Sequence, residues 1–108
     1  MDLNQNEWAA MHRSKEETIL LDVRTIEEYR QGHIPNAKLI DIQNPPNFLH
    51  ELELLNPSKT YLVYCRSGAR SSQACVLMKN KGIENCFNLL GGINQWNGEI
   101  IIQNEKIS

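Results

Sequence analysis

The sequence has no long run of apolar residues and little excess of charge of either sign. No stretch is long enough to cross a bilayer, so we expect no membrane contact. The formal net charge is -2 and the isoelectric point is near 5.9, which argues against a nucleic-acid-binding surface. The N-terminal segment is polar and lacks the apolar core of a signal peptide, so we expect a cytoplasmic protein.

Motifs that bind metals or nucleotides are also missing. The three cysteines form no C-x-x-C pair, and His12, His33 and His50 have no ligand-like spacing to the cysteines. The segment "GGINQW" contains two glycines, but it follows the last predicted strand instead of opening a β–α–β unit. We therefore expect neither a metal nor a cofactor.

Short apolar runs alternate with amphipathic segments along the 108 residues. The pattern predicts strands over 18–23, 37–42, 60–65 and 85–90, and helices over 5–14, 25–32, 47–55, 71–82 and 92–98. Thr25 and Glu28 have the spacing of a capping box at one helix start. This alternation predicts one α/β domain over residues 1–108, with a mainly parallel sheet.

One predicted strand ends in a cysteine, Cys65, at the edge of the sheet where ligands bind in such folds. The residues between it and the next helix are Arg66, Ser67, Gly68, Ala69 and Arg70. Only the thiolate is a good nucleophile, and a free cysteine titrates near 8.5. Two guanidinium groups, a helix N-terminus and a glycine-permitted nest of amides would lower the pKa of Cys65 and hold a small anion.

Each cysteine also has a packing interpretation. A cysteine that ends a buried strand is usually a small core residue, but the loop after Cys65 favours the functional interpretation. Cys75 and Cys86 lie among apolar residues, and we expect both to be buried packing residues. His33 lies in "GHIPNA", where we expect it to bind backbone groups, so a Cys–His protease is poorly supported.

Three segments in this order resemble the single-domain rhodanese-like sulfurtransferases. They are "LLDVRTIEEYRQGHIPNAKLI", "YLVYCRSGARSSQACVLMKNKG" and "NLLGGINQW", which together cover about Leu20 to Trp96. The resemblance implies a five-stranded, mainly parallel sheet flanked by helices on both faces. Asn36 occupies a position where the family usually has glycine, and asparagine tolerates left-handed backbone better than most residues.

The same resemblance implies a function. Cys65 would carry sulfur as a persulfide, and Arg66, Ser67, Gly68, Ala69 and Arg70 would bind a small anionic sulfur donor such as thiosulfate. The acceptor would be cyanide, a thiol or a protein. Asp22 and Arg24 match the family's Asp-x-Arg element, which is chiefly structural.

Two other functions stay open at this point. Cysteine phosphatases also place a thiolate, a loop of amides and an arginine at a helix start, but with five residues between cysteine and arginine; this chain has four. Alternatively, the domain is a persulfide carrier or a protein-interaction module. Rhodanese-like domains without the cysteine act as interaction modules, and the presence of Cys65 argues against an inert domain.

Overall fold

The computed structural model describes residues 1–14 and 18–103, over which strands and helices alternate. The strands β1 to β5 comprise Asp2–Leu3, Thr18–Asp22, Lys38–Leu39, Thr60–Tyr64 and Cys86–Leu89. The helices α1 to α4 comprise Gln5–Ser14, Ile26–Gln31, Pro45–Leu54 and Ala69–Asn80, and a 3₁₀ turn covers Ile93–Gln95. None of the helices in the described ranges has the length and apolar character needed to cross a bilayer.

The strands form a single five-stranded sheet in the order β1-β5-β4-β2-β3. Every neighbouring pair is parallel, which confirms the predicted α/β architecture. Strand β4 lies at the centre, between β5 and β2. The residues that follow β4 therefore leave the sheet from the middle of its carboxyl edge.

Side chains of β4 alternate between two apolar cores, as the period of a strand requires. Tyr61 and Val63 pack with buried residues of α3 and α4 on one face. Leu62 and Tyr64 pack with Trp8 of α1 on the other face. Helices therefore cover both faces of the sheet, as the resemblance implied, and Cys65 continues the alternation on the α4 side.

Helix ends follow the sequence signals closely. Glu28 N donates to Thr25 Oγ1 at 3.2 Å and Thr25 N donates to a Glu28 carboxylate oxygen at 3.0 Å, which forms the predicted capping box. Helix α4 ends at Asn80, and the left-handed φ of 94° at the following Gly82 lets Ile83 N reach Met78 O at 3.0 Å. Asn36 has a φ of 70°, so asparagine does adopt the left-handed backbone there.

Several predicted elements differ from the structure in their bounds, and one strand was not predicted. The helix predicted over 92–98 is a 3₁₀ turn over Ile93–Gln95. The segment 37–42 pairs as a strand only over Lys38–Leu39, because the chain turns at Asp41, whose carbonyl accepts from Asn44 N at 3.2 Å. Helix α4 begins at Ala69, two residues earlier than predicted, so Arg70 lies in its first turn. Strand β1 has two residues, too few to leave a period in the sequence.

Candidate active site

Cys65 lies directly after β4, at the point where the central strand leaves the sheet. The residue is almost fully buried, with 1% of its surface exposed. Its sulfur accepts a hydrogen bond from Gly68 N at 3.1 Å and lies 3.4 Å from the Ser71 hydroxyl oxygen. The chain therefore curls back over the thiol before α4 starts.

The pKa of Cys65 is set by two opposing effects. Burial raises the pKa of this thiol, while the hydroxyl and amide of Ser71 and the amides of Gly68 and Ser67 lower it. The net pKa is below its ordinary value, in the predicted direction. The lowering comes mainly from hydrogen bonds of the loop and of the first turn of α4, and less from the guanidinium groups that the sequence also suggested.

Glycine is required at one point of this loop. Gly68 has a φ of 107°, a left-handed conformation that side-chain-bearing residues rarely adopt. This conformation turns its amide towards the sulfur. Arg66, Ser67 and Ala69, three of the five residues predicted to bind substrate, are exposed on this loop.

A second segment, 91–95, holds the loop from the other side. Ile93 N donates to the Cys65 carbonyl at 2.9 Å, and Asn94 N donates to the Arg66 carbonyl at 3.1 Å. Gly92 lies so close that an added Cβ would be 2.6 Å from the Cys65 carbonyl oxygen. This contact was not predicted from the sequence, although two adjacent glycines after a strand are a signal for close backbone approach.

The two arginines of the loop occupy different environments. Arg70 binds Glu28 of α2 through two hydrogen bonds of 2.9 Å. Arg66 is exposed, and no salt bridge involves it within the described ranges. Its side chain lines a cavity of about 310 Å³ together with Arg24, Glu28, Gln31, Gly32, Ile93, Asn94 and Ile100.

Behind the site, Asp22 and Arg24 form a buried ion pair. Arg24 Nη2 lies 2.7 Å from Asp22 Oδ2, and the same nitrogen donates to the Gly32 carbonyl at 2.7 Å. The Tyr64 hydroxyl donates to Asp22 at 2.8 Å and accepts from Ile34 N at 3.0 Å. This network joins β2, β4 and the loop before β3, which agrees with the structural role implied for the Asp-x-Arg element.

Two polar residues near the sulfur were missed by the sequence analysis. Ser71 and Asn88 are both buried, and the Ser71 hydroxyl is hydrogen-bonded to the Asn88 side-chain oxygen. Asn88 is on β5, and its amide nitrogen reaches the Gly68 carbonyl at 3.2 Å. The only sequence signal was a polar residue in an apolar strand.

The remaining candidate side chains lie elsewhere. Cys75 and Cys86 are buried in the α4 core, as predicted. The ring of His33 stacks on Tyr29, and its Nδ1 lies 2.9 Å from the Tyr29 carbonyl oxygen, so it binds backbone as predicted. Within residues 1–14 and 18–103, no three His, Cys, Asp or Glu side chains are grouped as a metal site requires.

Comparison with known proteins places this geometry in a family. The family model for the rhodanese-like domain matches residues 5–99. The chain is 38% identical over 81 residues to the protein named Sulfurtransferase from Allochromatium vinosum, covering 75% of this chain and 73% of that protein. It is 39% identical to Thiosulfate sulfurtransferase 18 of Arabidopsis thaliana, covering 70% of this chain and 64% of that protein.

A solved structure agrees. The rhodanese-like domain protein from Staphylococcus aureus superposes with a TM-score of 0.80 at 30% identity, over 94% of this chain and 96% of that one. Fold, motif order and relatives lead to the same assignment, and the chain belongs to the rhodanese-like domain family.

Proposed function

We propose that this protein is a sulfurtransferase that moves a sulfane sulfur from thiosulfate, or a similar small anionic donor, to a nucleophilic acceptor. The observation that carries the proposal is the Cys65 sulfur, which lies within a group of hydrogen-bond donors that lower the pKa of its thiol. A thiolate held in this way is the nucleophile that such a transfer needs.

The reaction has two steps. The Cys65 thiolate attacks the outer sulfur of thiosulfate; a new S–S bond forms, the old S–S bond breaks, and sulfite leaves with the electron pair. Cyanide, or a thiolate, then attacks the outer sulfur of the Cys65 persulfide, and the Cys65 thiolate leaves. The amide of Gly68 and the donors of Ser71 stabilise the negative sulfur at the start and end of the cycle.

The burial of Cys65 suits a small donor. With 1% of its surface exposed, the residue leaves little room for a bulky group at the sulfur itself. A persulfide places the reactive sulfur about 2 Å, one S–S bond length, from Cys65 Sγ. The exposed guanidinium of Arg66, on the loop that follows Cys65, supports an anionic donor. A reducing compartment such as the cytoplasm would keep the three free thiols reduced.

Intact-mass analysis after exposure to thiosulfate tests this function. The wild type should gain the mass of one sulfur atom and lose it on addition of cyanide. Cys65→Ser should gain nothing, whereas Cys75→Ala and Cys86→Ala should behave as the wild type. Sulfur on Cys75 or Cys86, or on no cysteine, contradicts the proposal.

An aryl phosphate, assayed beside thiosulfate, separates sulfur transfer from phosphatase chemistry. Only Arg66, Ser67, Gly68 and Ala69 lie between Cys65 and Arg70, one residue fewer than in the loop with which cysteine phosphatases surround a phosphoryl group. We expect no hydrolysis that depends on Cys65. Phosphate release that disappears in Cys65→Ser, without sulfur transfer in either protein, would favour a phosphatase instead.

A further inference from the structure

Ser71 lies between the reactive sulfur and a buried amide. Its hydroxyl oxygen is 3.4 Å from Cys65 Sγ and is hydrogen-bonded to Asn88 Oδ1 on the other side. Ser71 has no exposed surface and Asn88 has 2% exposed, so solvent does not compete for these bonds. Ser71 Oγ therefore lies within reach of two acceptors.

The orientation of the Asn88 amide follows from its other neighbours. Its nitrogen lies 3.0 Å from Asp2 Oδ1 and 3.2 Å from the Gly68 carbonyl oxygen. A carboxylate and a carbonyl can only accept, so the NH₂ group must face them and Oδ1 must face Ser71. An amide oxygen has no proton, so Ser71 is the donor in the Ser71–Asn88 bond.

A serine hydroxyl has one proton, and here it has two acceptors. While Cys65 is a thiol, its S–H can donate to Ser71 Oγ, and Ser71 can donate to Asn88. Once Cys65 is a thiolate, the Ser71 proton must leave Asn88 to reach the sulfur, and Asn88 Oδ1 loses its donor. The thiolate therefore gains the hydrogen bond from Ser71 only when the Ser71–Asn88 hydrogen bond breaks.

We propose that Asn88 is a positioning residue that holds the Ser71 proton away from Cys65 and so limits how readily the thiol ionises. This role rests on the proposed function, because it concerns how the Cys65 thiol is prepared for sulfur transfer. A thiolate with a very low pKa is a weak nucleophile, and attack is fastest when the pKa is near the ambient pH. By competing for the Ser71 proton, Asn88 preserves the nucleophilicity of the sulfur.

Charged groups around the site do not reproduce this effect. Arg70 of α4 is near enough to interact with Cys65 and is bound to Glu28 of α2. Asp22 of β2 is neutralised by Arg24. Asp2 of β1 accepts a hydrogen bond from the Asn88 amide, and Arg66 lies on the loop after Cys65. None of these charged residues is replaced in the Ser71 and Asn88 variants. Asp2 loses its hydrogen bond from Asn88 in Asn88→Leu with and without Ser71, so that change cancels in a double-mutant cycle.

A double-mutant cycle tests the proposal through the pKa of Cys65. Leucine has nearly the shape of asparagine but no acceptor, and the Gly68 carbonyl keeps its bond from Ser72 N at 3.1 Å in Asn88→Leu. With the Ser71 proton free, the pKa of Cys65 should fall by about one pH unit, the size expected of a hydrogen bond to a charged acceptor. In the Ser71→Ala background, Asn88→Leu should leave the pKa unchanged.

The pKa is measured from the ultraviolet absorbance of the thiolate, with each protein's Cys65→Ser counterpart as the blank. A purely structural role for Asn88 would disturb the loop and change the pKa of Cys65 in both backgrounds. A rise in Asn88→Leu, no change, or an equal change with and without Ser71 overturns the proposal. Sulfur transfer is scored separately on the wild type, and its absence would refute the proposed function without affecting the cycle.

An infrared measurement needs no substitution at Asn88. In the thiol form, the S–H group of Cys65 should donate to Ser71, which lowers its stretching frequency. The Cys65 band, assigned by its loss in Cys65→Ala, should therefore move to higher wavenumber in Ser71→Ala. A band at the same position in wild type and Ser71→Ala means that Ser71 does not accept from the thiol, and the proposal fails.

Discussion

Arg70 and Glu28 connect the first turns of α4 and α2 through two parallel hydrogen bonds. Arg70 Nη1 reaches Glu28 Oε1 and Nη2 reaches Oε2, each at 2.9 Å. Glu28 also caps its own helix through Thr25 N at 3.0 Å. One carboxylate thus fixes both the start of α2 and the end of the loop that covers Cys65. Whether Arg70 also binds a donor anion stays a prediction.

Replacing Glu28 should change stability in a pH-dependent way. The hydrogen bond from Arg70 lowers the pKa of Glu28 to about 2. A folded-state pKa below the unfolded one means that the contribution is complete above about pH 5 and is lost as the pH falls towards 2. Glu28→Gln should therefore be less stable than wild type by roughly 1 kcal/mol near pH 7, because the pair is only partly buried.

Urea unfolding at several pH values measures this difference, which should shrink on acidification. Glu53→Gln is the matched control, because Glu53 forms an exposed pair with Lys81 at 3.3 Å. The control should change stability little at any pH. A gap between wild type and Glu28→Gln that is constant from pH 7 to pH 3 would show that the Arg70 bond does not lower the pKa of Glu28.

Arg66 should govern donor binding without changing the thiol. It is exposed on the loop that follows Cys65, and hydrogen bonds from other groups account for most of the lowering of the Cys65 pKa. Arg66→Gln should raise KM for thiosulfate about tenfold, the loss expected for one charge-assisted contact, and leave the pKa of Cys65 in place. Lys79→Gln, which removes an exposed charge at the far end of α4, should change neither the KM for thiosulfate nor the pKa of Cys65. Equal KM values for both variants would exclude a donor contact by Arg66.

Local patterns were sufficient to predict the position of Cys65. A β-branched and apolar run fixes β4, and the period of two along that strand determines which core each side chain enters. The capping box of Thr25 and Glu28 and the glycine stop at Gly82 are also local, because they involve residues a few positions apart. Such features need no knowledge of the tertiary fold.

Contacts between distant segments could not be predicted in this way. The Ser71–Asn88 bond joins residues 17 positions apart, and the Arg70–Glu28 pair joins residues 42 apart. Nothing in the local sequence around Arg70 distinguishes an arginine that binds a substrate from one that binds a carboxylate. The pairing depends on how α2 and α4 are placed at the same edge of the sheet, which only the assembled structure defines.

Gly92 should tolerate no side chain. Its φ of 60° and ψ of -163° belong to a region that is essentially restricted to glycine, and an added Cβ would collide with the carbonyl groups of Cys65 and Arg66. Gly92→Ala should lower the free energy of unfolding by about 3 kcal/mol and displace the loop. Persulfide formation should fall even in protein that is still folded.

Gly82→Ala provides the comparison for Gly92→Ala. Gly82 also has a positive φ, 94°, but an added Cβ there would meet nothing within 4 Å. Gly82→Ala should lower the free energy of unfolding by about 1 kcal/mol through backbone strain and leave persulfide formation intact. Thermal unfolding and intact mass are measured on both variants. The difference between them isolates the steric collision at Gly92 from the backbone strain that both positions share. Equal effects of the two substitutions would mean that Gly92 is not in close contact with the loop.

Asp22 should be needed for stability and not for sulfur transfer. Its carboxylate is fully buried and binds Arg24, which is itself nearly buried, and it accepts from Tyr64. Asp22→Asn leaves the guanidinium without a counter-charge in the interior. Removing one partner of a buried pair costs about 3 to 5 kcal/mol, so the midpoint of urea unfolding should fall steeply.

Two further variants distinguish the lost charge from the lost hydrogen bond. Tyr64→Phe keeps the ion pair and removes only the hydroxyl, which leaves the Ile34 amide without its acceptor; a loss of about 1 to 3 kcal/mol is expected. Lys38→Gln removes an exposed pair with Glu51 at 3.9 Å and should change stability by less than 1 kcal/mol. An Asp22→Asn protein no less stable than Lys38→Gln would mean that Arg24 finds another counter-charge. Folded Asp22→Asn should still form the Cys65 persulfide, because the hydrogen bonds to the sulfur come from Gly68 and Ser71 and none of them involves Asp22.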